Sequence, residues 1–123
     1  MKSYENYKDL LEKVSLMTLK ERVIRWIDLY GVLDYLGNKS LSYDETSMKL
    51  DQIIEEAEKN NWAYGMMEGF REQQRWINDE LNKLHKKIFP LQQEFNILDA
   101  YIETYKEFFG EEEIKKIHDE YIG

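Results

Sequence analysis

The chain has no cysteine, a single proline, two histidines and fewer basic than acidic residues, and each scarcity closes off a class of explanation. Without cysteine there is no disulfide framework, no thiolate nucleophile and no cysteine-based zinc cluster. No apolar run approaches the roughly 20 residues of a membrane span. The opening Met1-Lys2-Ser3-Tyr4-Glu5 leads into an amphipathic charged segment rather than the apolar stretch of a signal peptide. A soluble cytoplasmic protein with no membrane partner is therefore expected. The residues three places before His85 and His118 are Asn82 and Lys115. Neither histidine can therefore complete the Glu-x-x-His pair of a di-iron bundle, and no metal or other cofactor is expected. There is no phosphate-cradling glycine loop after a strand and no serine nucleophile motif. With 17 Lys/Arg against 25 Asp/Glu and a net charge of -8, direct binding to nucleic acid is disfavoured, because each phosphate contact requires a cation.

At 123 residues the chain has room for one domain, which at this size buries roughly two thirds of its unfolded surface. Residues 1–123 are accordingly read as a single helical domain. Nine Tyr, five Phe and three Trp within a 42% apolar composition argue against disorder. The charge is uneven. Residues 1–43 are net +1, 44–58 net -5, 71–87 net +2 and 94–120 net -6, which predicts one or two acidic surfaces.

Apolar spacing is helical throughout and no strand pattern or repeat is visible. Tyr4, Tyr7, Leu10, Leu11 and Val14 mark a first helix. Leu19, Val23, Trp26, Ile27, Tyr30 and Leu33 mark a second, opened by a capping box at Thr18-Leu19-Lys20-Glu21. Gly37-Asn38-Lys39-Ser40 is expected to end it. Ser42-Tyr43-Asp44-Glu45 repeats the capping signature, and a long central helix is expected over about 43–88, continuous or gently bent past Gly65 and Gly69. Its stripe, Leu50, Ile53, Ile54, Ala57, Asn61 and Tyr64, then Phe70, Ile77, Leu81, Leu84 and Ile88, changes sides near the middle. Pro90 suits the first turn of another helix, so an antiparallel return helix is expected over about 90–109 along Leu91, Phe95, Leu98, Ile102, Tyr105 and Phe109. Gly110 ends that helix, and a short terminal one follows through Ile114, Ile117 and Tyr121. The expected fold is an all-α bundle of four to five helices built around one long helix, with coiled-coil character in its last seam.

Among candidate sites, carboxylate clusters come first, because convergent acids bind divalent cations. Asp51, Glu55 and Glu58 share one helix face. The run Glu55-Glu56-Ala57-Glu58-Lys59 is similar over five residues to the Glu-Glu-x-x-Glu motif of helical nucleotide pyrophosphatases of the MazG type. It departs from that motif at Lys59, which occupies a ligand position. The resemblance implies a divalent-metal nucleotide hydrolase as an alternative function. The basic segment Arg71, Arg75, Lys83, Lys86 and Lys87 is diluted by Glu72, Asp79 and Glu80, and internal ion pairs explain it better than nucleic acid does.

The central segment carries more. Trp62, Gly65, Gly69, Gln73 and Trp76 fall on one helix face and form a notch between two indoles. Either other helices of the chain pack closely onto it, or it is a partner or dimer site with indole anchors. The leading expectation is a non-catalytic acidic interaction protein, an inhibitor or regulator of a larger protein. A bias towards lysine, asparagine, isoleucine and tyrosine fits an AT-rich genome, and with it a phage or mobile-element accessory factor acting on a nucleic-acid-handling enzyme. Two acidic rows, Asp44, Asp51, Glu55 and Glu58, and Asp99, Glu103 and Glu107, are candidates for presentation to a basic nucleic-acid-binding groove. A structural homodimer through the Trp62–Trp76 face is the other alternative.

Overall fold

The computed structural model describes the backbone of residues 2–62 and 64–123 and the side chains of residues 7–62 and 65–123. Within them the chain is all-α: α1 (Lys2–Ser15), α2 (Leu19–Lys59), α3 (Tyr64–Phe109) and α4 (Glu112–Ile122). Two long helices dominate, and both are built on a 3.5-residue repeat. Along α3 the row Met67, Phe70, Gln74, Ile77, Leu81, Leu84, Ile88, Leu91, Phe95, Leu98, Ile102, Tyr105 and Phe109 advances by alternate steps of three and four. Every member except Phe109 is buried or half-buried. Along α2 the row Leu19, Arg22, Trp26, Leu29, Leu33, Leu36, Ser40, Tyr43, Ser47, Leu50, Ile54 and Ala57 does the same, with none exposed. These are the seams of a coiled coil.

Contacts gather the chain into two units, Met1–Asp34 with Phe89–Gly123, and Tyr35–Ile88. In the first unit the opening part of α2 and the closing part of α3 are joined by α1 and α4. Val14, Leu29, Ile97 and Leu98 form one core cluster. Val23, Ile102, Ile114 and Ile117 form the other. Arg22 helps to close α1, its guanidinium donating to the carbonyls of Val14 (3.0 Å) and Ser15 (3.1 Å) where helix-end carbonyls lack amide partners. At the other end of the unit's sequence, the Tyr121 hydroxyl donates to Asp28 at 2.7 Å, tying α4 to α2 and holding the phenol above its ordinary pKa.

The second unit is an antiparallel hairpin of α2 and α3. Ser40 meets His85, Ser47 meets Asn78, Asp51 meets Gln74 and Glu58 meets Arg71. Its core cluster is Leu50, Ile77 and Leu81, flanked by Tyr43 and Phe70. Three of its seam positions are polar, Ser40, Ser47 and Gln74, which lowers apolar burial but specifies register. Leu36, Leu50, Ala57, Met67, Ile77, Leu81 and Leu84 are buried in this unit, where a fully buried aliphatic side chain is worth about 1.5–3 kcal/mol, but of these only Leu50, Ile77 and Leu81 gather into one cluster.

The all-α bundle with long helices is as expected, but helix ends lie elsewhere. The Thr18 box forms: the Thr18 amide donates to the Glu21 carboxylate at 3.0 Å and the Glu21 amide to the Thr18 hydroxyl at 3.1 Å. The Thr18 amide first, and then the Thr18 hydroxyl beside the carboxylate, hold the Glu21 carboxyl below its ordinary pKa. No stop occurs at Gly37–Ser40, and the Ser42–Glu45 signature is unused. The seam runs unbroken through Leu36, Ser40 and Tyr43, so the preceding turn already supplies carbonyls for the amides a cap would serve.

The break falls instead inside the expected 43–88 helix, at Asn60–Trp62. Asn61 takes the left-handed conformation with φ 53. The Trp62 amide donates to the Ala57 carbonyl at 3.0 Å, and that of Asn61 to Glu58 at 3.5 Å. This is a Schellman ending with asparagine in glycine's place. Asn61 therefore does not belong to a helix stripe, and the change of stripe near the middle is the change from α2 to α3.

Pro90 does not open a helix; it lies inside α3. Segment 90–109 is therefore no separate return helix and does not pack back along 66–88. Its partner is the first half of α2. Proline removes the amide that the Lys86 carbonyl would accept from and costs about 3 kcal/mol. Lys86 and Pro90 lie on the exposed side of α3, where solvent can serve an unpaired carbonyl. Burial of Leu84, Ile88, Leu91 and Phe95 on the seam side outweighs the remainder.

Candidate partner-binding site

Helical spacing places Gly65, Gly69, Gln73 and Trp76 on one side of α3, and all four are exposed. Trp76 is 56% exposed, and Met66 beside them also 56%. Among the described residues, no other part of the chain comes within 4 Å of where a β-carbon would stand on Gly65 or Gly69. Close packing of the chain's own helices onto this notch is thus not what the glycines serve. The Trp76 ring meets Tyr43 edge-on, with centroids 6.2 Å apart, which fixes one face and leaves the rest in water. Trp62 is 39% exposed but precedes α3, so it belongs to the α2–α3 turn and is not a member of the helix face.

The first acidic row lies on another side of the hairpin. Asp51 accepts a hydrogen bond from Gln74. Glu58 pairs with Arg71 at 3.0 Å, and Arg71 sits well around the α3 circumference from Gly69 and Trp76. Glu55 pairs with Lys59 at 3.5 Å, and Asp44 is exposed. The three acids expected to converge on a cation therefore have three different partners. Among the described residues no group of three metal-ligating side chains is gathered.

The second row also divides. Asp99 accepts the Trp26 indole N–H at 3.1 Å, a bond that seats Trp26 against Phe95 in a stacked pair 6.4 Å between centroids. Glu103 pairs with Lys106 at 3.4 Å, and Glu107 is exposed. His118 lies beside Asp119, and His85 beside Ser40.

One carboxylate that the sequence did not single out is the most buried. Glu94 is 4% exposed and accepts from the Arg25 guanidinium at 2.5 and 3.3 Å, with Lys13 at 3.6 Å. Burial raises its pKa, but the Arg25 hydrogen bond and the charges of Arg25 and Lys13 more than offset this and leave it below the ordinary value. The same pairing raises Arg25. This ion pair ties α2 to α3, with α1 joined through Lys13.

Sequence spacing also passed over an apolar surface on α3. Tyr101, Phe108 and Phe109 are 36, 74 and 75% exposed. The signal was present: Tyr105 and Phe109 lie on the seam, so Phe108 must point off it. No helix among the described residues is long and apolar enough to cross a membrane. No family model, curated protein or solved structure matches the chain.

Proposed function

We propose that the chain is a non-catalytic helical interaction protein that occupies a surface of a larger protein, docking through the Gly65–Trp76 side of α3. The observation that carries this reading is the Trp76 indole, 56% exposed, on a helix side whose glycines meet nothing of the described chain. Tryptophan is among the residue types most enriched in binding hot spots. Gly69 costs about 1 kcal/mol against alanine in a helix interior. A partner helix approaching the glycine backbone closely while covering the indole offsets both penalties. Acidic mimicry of nucleic acid is the weaker mode, because Asp51, Glu58 and Asp99 are already engaged within the chain. The residue bias continues to favour an inhibitor or regulator from a phage or mobile element acting on a nucleic-acid-handling enzyme. A homodimer through the same side is the alternative.

Capture from host lysate, comparing the natural chain with Trp76→Ala and Gly69→Ala, tests the reading. The expected partner stays bound at high ionic strength and is lost with Trp76→Ala. Gly69→Ala also weakens capture while raising the stability of the free protein by about 1 kcal/mol. A partner held equally by Trp76→Ala, or released by salt alone, overturns docking through this side. A dimeric mass in light scattering that Trp76→Ala abolishes establishes the homodimer instead.

A further inference from the structure

The first unit carries an apolar track along α3 that the described side chains leave open. An open groove of about 580 Å³ lies between α1 and α3, walled by Tyr7, Leu11, Ile97 and Ala100. A smaller hollow of about 170 Å³ follows, against Leu19, Arg22, Tyr105, Phe108 and Phe109, with the Arg22 guanidinium engaged by the α1 carbonyls and lying over the Tyr101 ring at 4.4 Å. The two share Tyr101 and Thr104, so they form one surface from Gln93 to Phe109. At ~1.5 Å per residue this is about 24 Å, the length of a helix of about four turns.

Two features of this surface are not needed by the fold. Phe108 and Phe109 stand three-quarters exposed, and only Phe109 has a ring neighbour, Tyr105 at 4.8 Å between centroids. Glu107 lies in the last turn of α3, where the helix dipole favours a cation. Glu111, Glu112 and Glu113 follow Gly110, all exposed; they also complement the N-terminal dipole of α4, so of the four acids Glu107 alone has no part in the fold. Lys106 is the one basic residue from Glu94 to Ile114, and it is occupied by Glu103 and by the face of Trp26. The groove end at Tyr7, Leu11 and Ile97 is lined by no charged side chain.

We propose that this track seats an amphipathic helix of a partner protein, apolar on the side laid against Ile97–Phe108 and rich in lysine or arginine at the end beside Glu107 and Glu111–Glu113. Helix-in-groove recognition reads such a pattern through apolar anchors spaced one turn apart, and the carboxylates select against the wrong charge. A second copy supplies no cation there: a parallel twofold pairing sets the four glutamates against themselves, and an antiparallel one sets them against the Tyr7–Ile97 end, whose described lining carries no charge. Anionic lipid headgroups meet the same repulsion. The surface lies on a different unit from Trp76, so its failure and the failure of docking through Trp76 are read separately.

The probe is a fluorescein-labelled synthetic peptide of about 16 residues, leucine and lysine at helical amphipathic spacing, titrated with the full chain and followed by anisotropy. Saturable binding is expected. Phe108→Ser with Phe109→Ser is expected to weaken it about tenfold or more, as loss of apolar anchors requires. Glu107→Gln, Glu111→Gln, Glu112→Gln and Glu113→Gln together are expected to do likewise. Asp44→Asn, Glu45→Gln, Glu55→Gln and Glu56→Gln remove the same charge from the second unit and are expected to leave binding within about twofold. Circular dichroism of each variant checks that the fold persists. No saturation, equal weakening by the two charge sets, or indifference to the phenylalanine changes overturns the proposal. So does equal binding of a leucine–glutamate peptide. Co-sedimentation with phosphatidylserine vesicles overturns it in favour of a membrane surface, and peptide-blocked self-association in favour of a second copy.

Discussion

Replacing Pro90 with alanine separates two architectures that give this residue opposite energetic roles. Inside α3, proline leaves the Lys86 carbonyl without an amide partner. In a helix interior it is less favourable than alanine by about 3 kcal/mol. Because Lys86 and Pro90 are exposed, water already recovers part of that, and a gain of about 2 kcal/mol is expected on Pro90→Ala. Had Pro90 opened a helix, the substitution would remove a residue preorganised for that position. It would also enlarge the unfolded ensemble, at a cost of about 0.4–1 kcal/mol. The sign of the change therefore decides. With a denaturant slope of about 2 kcal/mol per molar, the urea midpoint followed by far-ultraviolet circular dichroism is expected to rise by about 1 M. The new amide at position 90 should also be protected from hydrogen exchange. An unchanged or lowered midpoint refutes the continuous helix, and an unprotected amide does the same.

Three further outcomes are expected. Glu94→Gln should destabilise by about 1–2 kcal/mol, less than a fully buried pair costs, because Arg25 and Lys13 are 38 and 56% exposed and solvent screens them. The Glu94 pKa is lowered by folding, so its contribution is present above the unfolded value, about 4.3, and is lost as pH falls through the folded value. The gap in melting temperature between the natural chain and the variant should therefore close on acidification below pH ~4. A gap that persists there excludes the charge as its cause. Asn61→Gly should stabilise by up to about 1 kcal/mol and Asn61→Val destabilise, because φ 53 strains a β-carbon. The reverse order, read from thermal melts, is what an uninterrupted helix produces. Finally, seam amides of the second unit, such as Leu50 and Ile77, should exchange with solvent before Leu29 and Leu98 of the first, whose clusters are larger.

The two capping signatures show why helix type was readable and helix ends were not. Thr18-Leu19-Lys20-Glu21 and Ser42-Tyr43-Asp44-Glu45 look alike locally. Only the first follows a stretch that leaves the helix, with Leu16 86% exposed and Arg22 closing α1 behind it. The second lies where Leu36, Ser40 and Tyr43 must all face α3, and that long-range requirement overrides the local option. Asn61 was hidden for the converse reason. It fits a spacing of four from Ala57, so periodicity absorbed it, although adjacent asparagines are better placed to end a helix than to continue one. Pro90 obeyed a sound local rule and lost to burial on both sides of it. By contrast the row Leu91–Phe109 was readable at once, because alternating steps of three and four need no partner to be recognised.

The candidate site divides along a different line. Spacing alone places Gly65, Gly69, Gln73 and Trp76 on one helix side, but whether that side is covered depends on neighbours that spacing does not contain. For the acids even exposure decides little. A carboxylate is satisfied by water or by a partner almost equally, so Asp44 and Glu107 in water are unremarkable, and Asp51, Glu58 and Asp99 could be assigned only once their donors were located. An indole or phenyl ring in water is different, because it forgoes about 1.5–3 kcal/mol that burial returns. Trp76 and Phe108 therefore weigh more in the proposed docking than the acidic rows do. On the proposed reading, the net charge of -8 acts on which partner approaches and how fast, and the exposed rings on where it stays.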